Sequence, residues 1–287
     1  MYKTSVITDE ISQDLPFAAR VAREYGLQGL EIRSVNEKNP FQMNADDLRF
    51  VKQIADDSGL EICCVSSPMF KCSLDDLETR RAHMDSFRRM MDTMHSWNTK
   101  LIRCFNFFNL HDGGKRTPEI VDAFQPVADI AEDAGVTVVL ESEPSVNAVN
   151  IAELVKFFKA VGRREIGAVY DPGNEAVDVT APLPYPDGYE LLKPYIRHVH
   201  VKDMLRGEIE TPALIGEGTV DFHGVFAALK RDKYNGWCSL ETHYRMKRLS
   251  DEDLVRPQGS SFSEGGYEAS RLYLDRLRDV YHWMEEN

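Results

Sequence analysis

The sequence predicts an α/β chain folded as a single closed (β/α)8 TIM barrel, and three observations carry that prediction. Short apolar strands alternate with amphipathic helices eight times from end to end. No linker rich in Ser, Gly or Pro divides the alternation, so residues 1–287 read as one barrel domain, near the ~250 residues usual for this architecture. The first strand is followed by TDEISQD, which lacks the Gly-rich phosphate loop that a doubly wound open sheet normally carries there.

The first strand covers residues 4–8, and Asp14 is placed to cap the helix that follows. Residues 26–33 supply a turn and the second strand. A helix is expected over 44–59, with Asn44 as its N-cap and Gly59 just past its end. The third strand covers 60–66, a long charged helix 74–97, and the fourth strand 100–105. A helix over 118–134 stops at Gly135 ahead of the fifth strand, 136–141. Another over 150–161 precedes the sixth strand, 166–171. The seventh strand covers 196–200, a helix 222–232, the eighth strand 236–241, and the last helix 264–283. Two connections are long: 172–190, with four prolines, and the polar 243–263. Long loops after barrel strands often serve as lids or substrate walls, with a solvated excursion or a subunit contact as the alternative.

Composition narrows the chemistry. A net charge of −13 argues against a nucleic-acid partner, which needs a basic footprint, although local cations can still meet a small anionic group such as a phosphorylated sugar. No stretch approaches the ~18–20 apolar residues of a membrane span. The opening MYKTSVITDEIS has no basic region leading into an apolar run, so no secretory signal and a cytoplasmic location are expected. Five cysteines, an odd number without a CxxC pair, read as reduced and mostly buried thiols.

The fifth to eighth strands each end on a potential metal ligand: Glu141, Asp171, His200 and Glu241. Barrel enzymes place their chemistry at this carboxyl edge of the strands. A strand's side chains alternate between two faces, so His198, His200 and Lys202 share one face of the seventh strand and Val199 and Val201 the other. Glu143 and His243 fall on the faces of Glu141 and Glu241, and would project beyond the ion if the strands continue. Three carboxylates and an imidazole suit one Mn²⁺, Mg²⁺ or Co²⁺ with open positions, with zinc as the alternative. Lys202 and Arg206 are candidates for an oxyanion or for surface ion pairs. Asn174 is a candidate for a substrate hydroxyl or for holding the Pro172–Gly173 turn. His111-Asp112-Gly113-Gly114 reads as a turn before an anion nest, and His83 and His95 as packed or solvated helix residues. Phe105, Phe107 and Phe108 read as core or as a wall for a sugar ring.

At these residues the sequence resembles the xylose isomerase-like barrel superfamily, in its sugar phosphate isomerase/epimerase group. The matching pieces are SVITDEISQD from residue 5, GLEIR from 29, VLESEP from 139, VYDPGN from 169, HVHVKD from 198, GEGTVDF from 216 and YNGWCSLETHY from 234. The resemblance implies that Glu141, Asp171, His200 and Glu241 bind one divalent ion. It leaves the substrate open, because the same frame serves ketose epimerases, hydroxypyruvate isomerases, inosose dehydratases and other lyases. Asn174 departs from the His that many ketose 3-epimerases carry at that position. Eight histidines and an acidic surface also depart from the relatives that cleave abasic DNA with three zinc ions.

The expected activity is therefore a metal-dependent isomerase or epimerase of a sugar, sugar phosphate or polyol. It would remove a proton next to a carbonyl to give an enediolate, with Glu141 and Glu241 as the proton-transfer pair in an undecided order. Lys202, Arg206, Asn174, His198, Glu143 and His243 are the candidate substrate contacts. The alternatives are a lyase or dehydratase of a keto sugar or keto-inositol on the same site, and a carbohydrate-binding barrel without catalysis. The expected partner is a small sugar or polyol, with neither nucleic acid nor membrane, and self-association into a homo-oligomer stays open.

Overall fold

The computed structural model describes residues 2–207 and 210–283. Eight strands form the barrel: β1 (Lys3–Ile7), β2 (Gly29–Ile32), β3 (Glu61–Met69), β4 (Leu101–Cys104), β5 (Thr137–Leu140), β6 (Ile166–Tyr170), β7 (Ile196–Val201) and β8 (Trp237–Leu240). All pair in parallel with their chain neighbours. β8 returns to β1 with Lys3 opposite Trp237 and Val6 opposite Leu240, which closes the sheet without an edge. The helices are α1 (Leu15–Glu24), α2 (Ala45–Ser58), α3 (Leu77–Trp97), α4 (Thr117–Ala134), α5 (Ile151–Val161), α6 (Pro172–Val177), α7 (Phe222–Arg231) and α8 (Gly266–Asp279). No helix among the described residues is long and apolar enough to cross a membrane.

Local chemistry fixes the helix ends. On α2, Asn44 accepts from the backbone N–H groups of Asp46 and Asp47 at 2.9 and 3.0 Å, and Asp47 accepts from Asn44 N in return. Gly59 then ends the helix in the left-handed region, at φ 64°. Caps of this kind contribute about 1 kcal/mol each. α3 begins at Leu77 rather than 74, because Asp76 is its cap and accepts from Thr79 N.

Period-two alternation sorts the strands into two environments. Val6, Leu30, Ile62, Ile102, Val138, Leu140, Tyr170, Val199, Val201 and Leu240 belong to the main core with residues of the helices. The barrel interior is closed by a small cluster of Cys63, Cys64, Val139 and Val169, on which Leu101 and Trp237 pack. Further toward the carboxyl mouth the interior becomes polar. The Oγ atoms of Ser5 and Ser239 lie 2.6 Å apart, and Glu31, His198 and His200 are fully buried.

Four further segments differ from expectation. β3 runs on to Met69, and its register against β4 shifts between Ser66 and Met69, a bulge that accommodates Pro68. The 172–190 connection folds into α6 and, past an extended Tyr185, enters the helical turn Tyr189–Leu192, and 243–263 holds the short helices Asp251–Val255 and Gly259–Ser263. The last helix starts at Gly266, which presses against the backbone of Glu10 where a Cβ would meet the carbonyl oxygen at 2.3 Å.

Candidate functional site

Alternation along β5, β6, β7 and β8 aims Glu141, Asp171, His200 and Glu241 into the mouth of the barrel. All four are buried, and their donor atoms lie within 4.8 Å of one another. His200 Nδ1 is 3.0 Å from Glu241 Oε2, 3.4 Å from Glu141 Oε1 and 3.7 Å from Asp171 Oδ2. Ligands about 2.1 Å from an octahedral cation sit about 3 Å apart when adjacent and about 4 Å apart when opposite, so this spacing fits a shared divalent ion.

The polar atoms point the same way. His200 Nε2 lies 3.2 Å from Glu31 Oε1, while its buried Nδ1 has no hydrogen-bond partner among the described residues. A carboxylate on one ring nitrogen, with the other turned toward the cup, is the arrangement that orients a metal-binding imidazole. Asp171 divides its oxygens. Oδ1 accepts from Asn174 N at 2.9 Å and caps α6, whereas Oδ2 faces the cup, where it meets the Lys202 ammonium at 2.8 Å. The turn-starting and cup roles of Asp171 thus coexist. The buried Glu, Asp and His side chains here could hold a metal ion.

Cations surround the cup. Lys202 Nζ stands 2.8 Å from Asp171 Oδ2 and 3.0 Å from Glu241 Oε2. Arg33 reaches Glu241 at 2.6 Å and also pairs with Asp9 and Glu10, and Arg103 reaches Glu141 at 3.1 Å. These pairs set the ionisation. Burial opposes the charge on Glu241, but Lys202, His200 and His243 hold its pKa well below the usual range. Burial likewise opposes the charge on Glu10, yet Arg33, His243 and Arg245 hold it down to about 2. For Asp171 burial prevails over Lys202, and the pKa is raised. Burial disfavours protonated His200, but Glu31, Glu241 and Glu141 overcome it and raise its pKa well above the ordinary value. A cation in the cup would stand in place of the second ring proton.

The predicted contact residues separate into three groups. Lys202, Asn174, Glu143 and His243 line the space over the cup. Asn174 Nδ2 donates to Glu141 Oε1 at 2.8 Å, and Glu143 pairs with Lys71 at 2.9 Å. β8 ends at Leu240 and His243 adopts φ 45°, so strand geometry does not continue to it; its ring still comes within 3.3 Å of Glu241. His198 lies beneath the cup with Nε2 2.7 Å from Glu31, away from the lining. Arg206 is not brought to the cup: its guanidinium donates to the carbonyls of Val179 and Ala181 and ties down that loop. Phe105 lines the cavity, whereas Phe107 is core against Phe70 and Phe124.

Sequence reasoning passed over Glu31, Arg33 and Arg103, although Gly29, Glu31 and Arg33 alternate on β2 and its extension as Leu101, Arg103 and Phe105 do on β4. Asp9 and Glu10 sit in a 3-10 turn after β1, where no periodicity marks them.

A closed parallel barrel with a buried carboxylate–histidine cup at its carboxyl mouth defines a metal-capable α/β barrel. The chain belongs to the xylose isomerase-like TIM barrel family, whose model matches residues 19–266. The inosose dehydratase of Serratia proteamaculans (strain 568) is 23% identical over 248 residues, which cover 76% of this chain and 80% of that protein. Two solved structures share the fold. The IOLI protein with a bound zinc atom gives a TM-score of 0.74 at 18% identity, over 99% of this chain and 100% of that one. D-psicose 3-epimerase of Clostridium cellulolyticum H10 with D-tagatose gives 0.72 at 17% identity, over 98% of each chain.

Proposed function

We propose that the protein is a divalent-metal-dependent isomerase or epimerase of a sugar or polyol, working by proton transfer next to a carbonyl. The observation that carries this reading is the convergence of Glu141, Asp171, His200 and Glu241, with His200 Nδ1 turned toward the three carboxylates where a cation could take the place of its proton. The carboxylate-rich donor set favours Mn²⁺, Mg²⁺ or Co²⁺ over zinc. A cation held there would supply Lewis-acid stabilisation of negative charge on a substrate carbonyl oxygen.

The chain's own groups do the rest. Glu141 and Glu241 stand on β5 and β8, separated around the barrel by β6 and β7, and so flank a substrate seated in the mouth. One, ionised, takes the proton from the carbon beside the carbonyl, leaving an enediolate; the other, in its protonated form, gives a proton to the opposite face or the neighbouring carbon, and exchange with solvent restores the pair. Asn174 and Arg103 fix Glu141, while Arg33 and Lys202 fix Glu241, so neither needs to reorganise. Lys202 and His243 carry donors into the same space. A cytoplasmic location accords with the five buried, unpaired cysteines.

Solvent exchange tests this reading. Glu141→Gln and Glu241→Gln should each cut deuterium incorporation from heavy water into a keto-sugar substrate by about 100-fold or more, with the fold intact by thermal melting. Wild-type exchange in both variants would overturn it. A second reading, a dehydratase on the same cup, is favoured by the inosose dehydratases among the sequence relatives. It requires a product lighter by one water when the protein is supplied with a keto-inositol.

A further inference from the structure

Beside the cup the barrel mouth opens into a second cavity of about 210 Å³, against about 30 Å³ in the space that Glu141 and Glu241 line. The two share Lys71, Arg103, Phe105 and Pro257 as walls, so one ligand can span both. Only the reacting end of a sugar fits over the cup; the remainder lies in the larger space.

The walls of the two spaces differ in charge. Glu141, Glu143, Glu210 and Glu241 line the smaller space. The larger cavity is lined by Arg33, Lys71, Arg103, Arg256 and His83, with no carboxylate among its described lining residues. Several of these cations have donors to spare. Arg103 commits one terminal nitrogen to Glu141, but its Nε is buried and has no hydrogen-bond partner among the described residues, and the whole side chain is 6% exposed. Arg256, just beyond the short helix Asp251–Val255, makes no ion pair among the described residues. His83 Nδ1 accepts from Phe70 N at 2.9 Å, so in the neutral ring the proton sits on Nε2 and makes that nitrogen a donor. The Phe105 ring lies under Lys71 and Arg103, at 4.7 and 4.9 Å, and seats both heads. Arg33, Lys71 and Arg103 already face Glu241, Glu143 and Glu141, so the charge left without a carboxylate is that of Arg256; a hydroxyl would answer only the free hydrogen-bond donors, whereas an oxyanion answers them and that charge together.

We propose that this cavity is an oxyanion subsite, and that the substrate is a sugar or polyol carrying a carboxylate or phosphate at the end remote from the carbons deprotonated in the cup. The orientation of the ligand rests on the function proposed above, whereas the binding of the anion does not. Isothermal titration of D-fructose, D-fructuronate and D-fructose 6-phosphate into the manganese-loaded protein separates neutral, carboxylate and phosphate forms of one carbon chain. At least one anion should bind tenfold or more tightly than fructose. The exposed Arg256→Ala should erase about tenfold of that preference while leaving manganese affinity unchanged. Equal affinity for the three ligands, or a preference untouched by Arg256→Ala, overturns the proposal. So does failure of the sugar anions together with inorganic phosphate and acetate to bind. Repeating the titrations in EDTA isolates the cup reading. An anion preference that persists in a protein binding no manganese sinks the metal cup alone, whereas manganese binding without the preference sinks the subsite alone.

Discussion

Replacing Glu31 with Gln perturbs the cup from below without replacing any of its four donors. Glu31 is fully buried and accepts from His198 Nε2 at 2.7 Å, from His200 Nε2 at 3.2 Å and from the Ser66 hydroxyl. Burial opposes its charge, yet the two imidazoles hold its pKa well below the usual range. The amide keeps the shape but removes the charge and turns one acceptor into a donor aimed at another donor. Outer carboxylates that orient a metal-binding imidazole are worth roughly 10–100-fold in cation affinity, or about 1.4–2.8 kcal/mol. The mismatched buried donor costs a further 1–3 kcal/mol of stability, roughly, with or without metal. Competition titration with manganese reads the first quantity and chemical denaturation the second. Wild-type values for both would refute the assignment of Glu31 as the group that fixes the His200 ring.

Three further outcomes follow from the same geometry. Burial raises the Glu175 pKa from 4.5 to about 7, against the opposing Ile151 N–H donation. The folded state therefore binds this proton more tightly than the unfolded chain, and stability falls as pH rises from 4.5 to about 7, by about 3 kcal/mol. Glu175→Gln should remove that slope in denaturation curves, gaining stability above the window and little below it; an unchanged slope would count against the burial account. At Gly173 an added Cβ would meet the Lys202 carbonyl oxygen at 2.5 Å, so Gly173→Ala should push α6 from β7 and cost about 1–3 kcal/mol. Because Asp171 caps α6, manganese affinity should fall with it; wild-type melting and binding would contradict the close approach. Cation affinity should also keep strengthening as pH rises past 6.5, since neighbouring carboxylates raise the His200 pKa and the ring must release a proton to bind. A plateau already reached at 6.5 in calorimetric titrations would argue against His200 as a donor.

The part of the site readable from sequence is the part that obeys strand periodicity. Glu141, Asp171, His200 and Glu241 each end an apolar run, and one alternation rule predicts that they face inward together. The same rule extends to Glu31 and Arg33 on one strand and Arg103 on another, but those strands end on a serine-bearing turn and on Phe105, so no ligand-like terminus drew notice. Asp9 and Glu10 lie in a turn, and only the closure of β1 onto β8 brings Glu10 within 3.5 Å of His243. Arg206 illustrates the opposite failure. It follows the seventh strand closely enough to belong to the mouth, yet the carbonyls of Val179 and Ala181 claim its guanidinium. Arg256 was invisible for a different reason: within a polar loop nothing local states which side chain turns back over the barrel. The strands and helices themselves were legible almost throughout, because caps such as Asn44 and Gly59 mark their ends. The β3 extension was not, since Pro68 ordinarily ends a strand and only the bulge admits it.

The claim under everything above is that one cation joins four side chains from four neighbouring strands. Anomalous diffraction from a manganese-soaked crystal tests it most directly. One peak per chain should appear at roughly 2.0–2.3 Å from Glu141, Asp171, Glu241 and the Nδ1 of His200. A map with no peak there, or with manganese bound elsewhere while Lys202 still bridges Asp171 and Glu241, would contradict it.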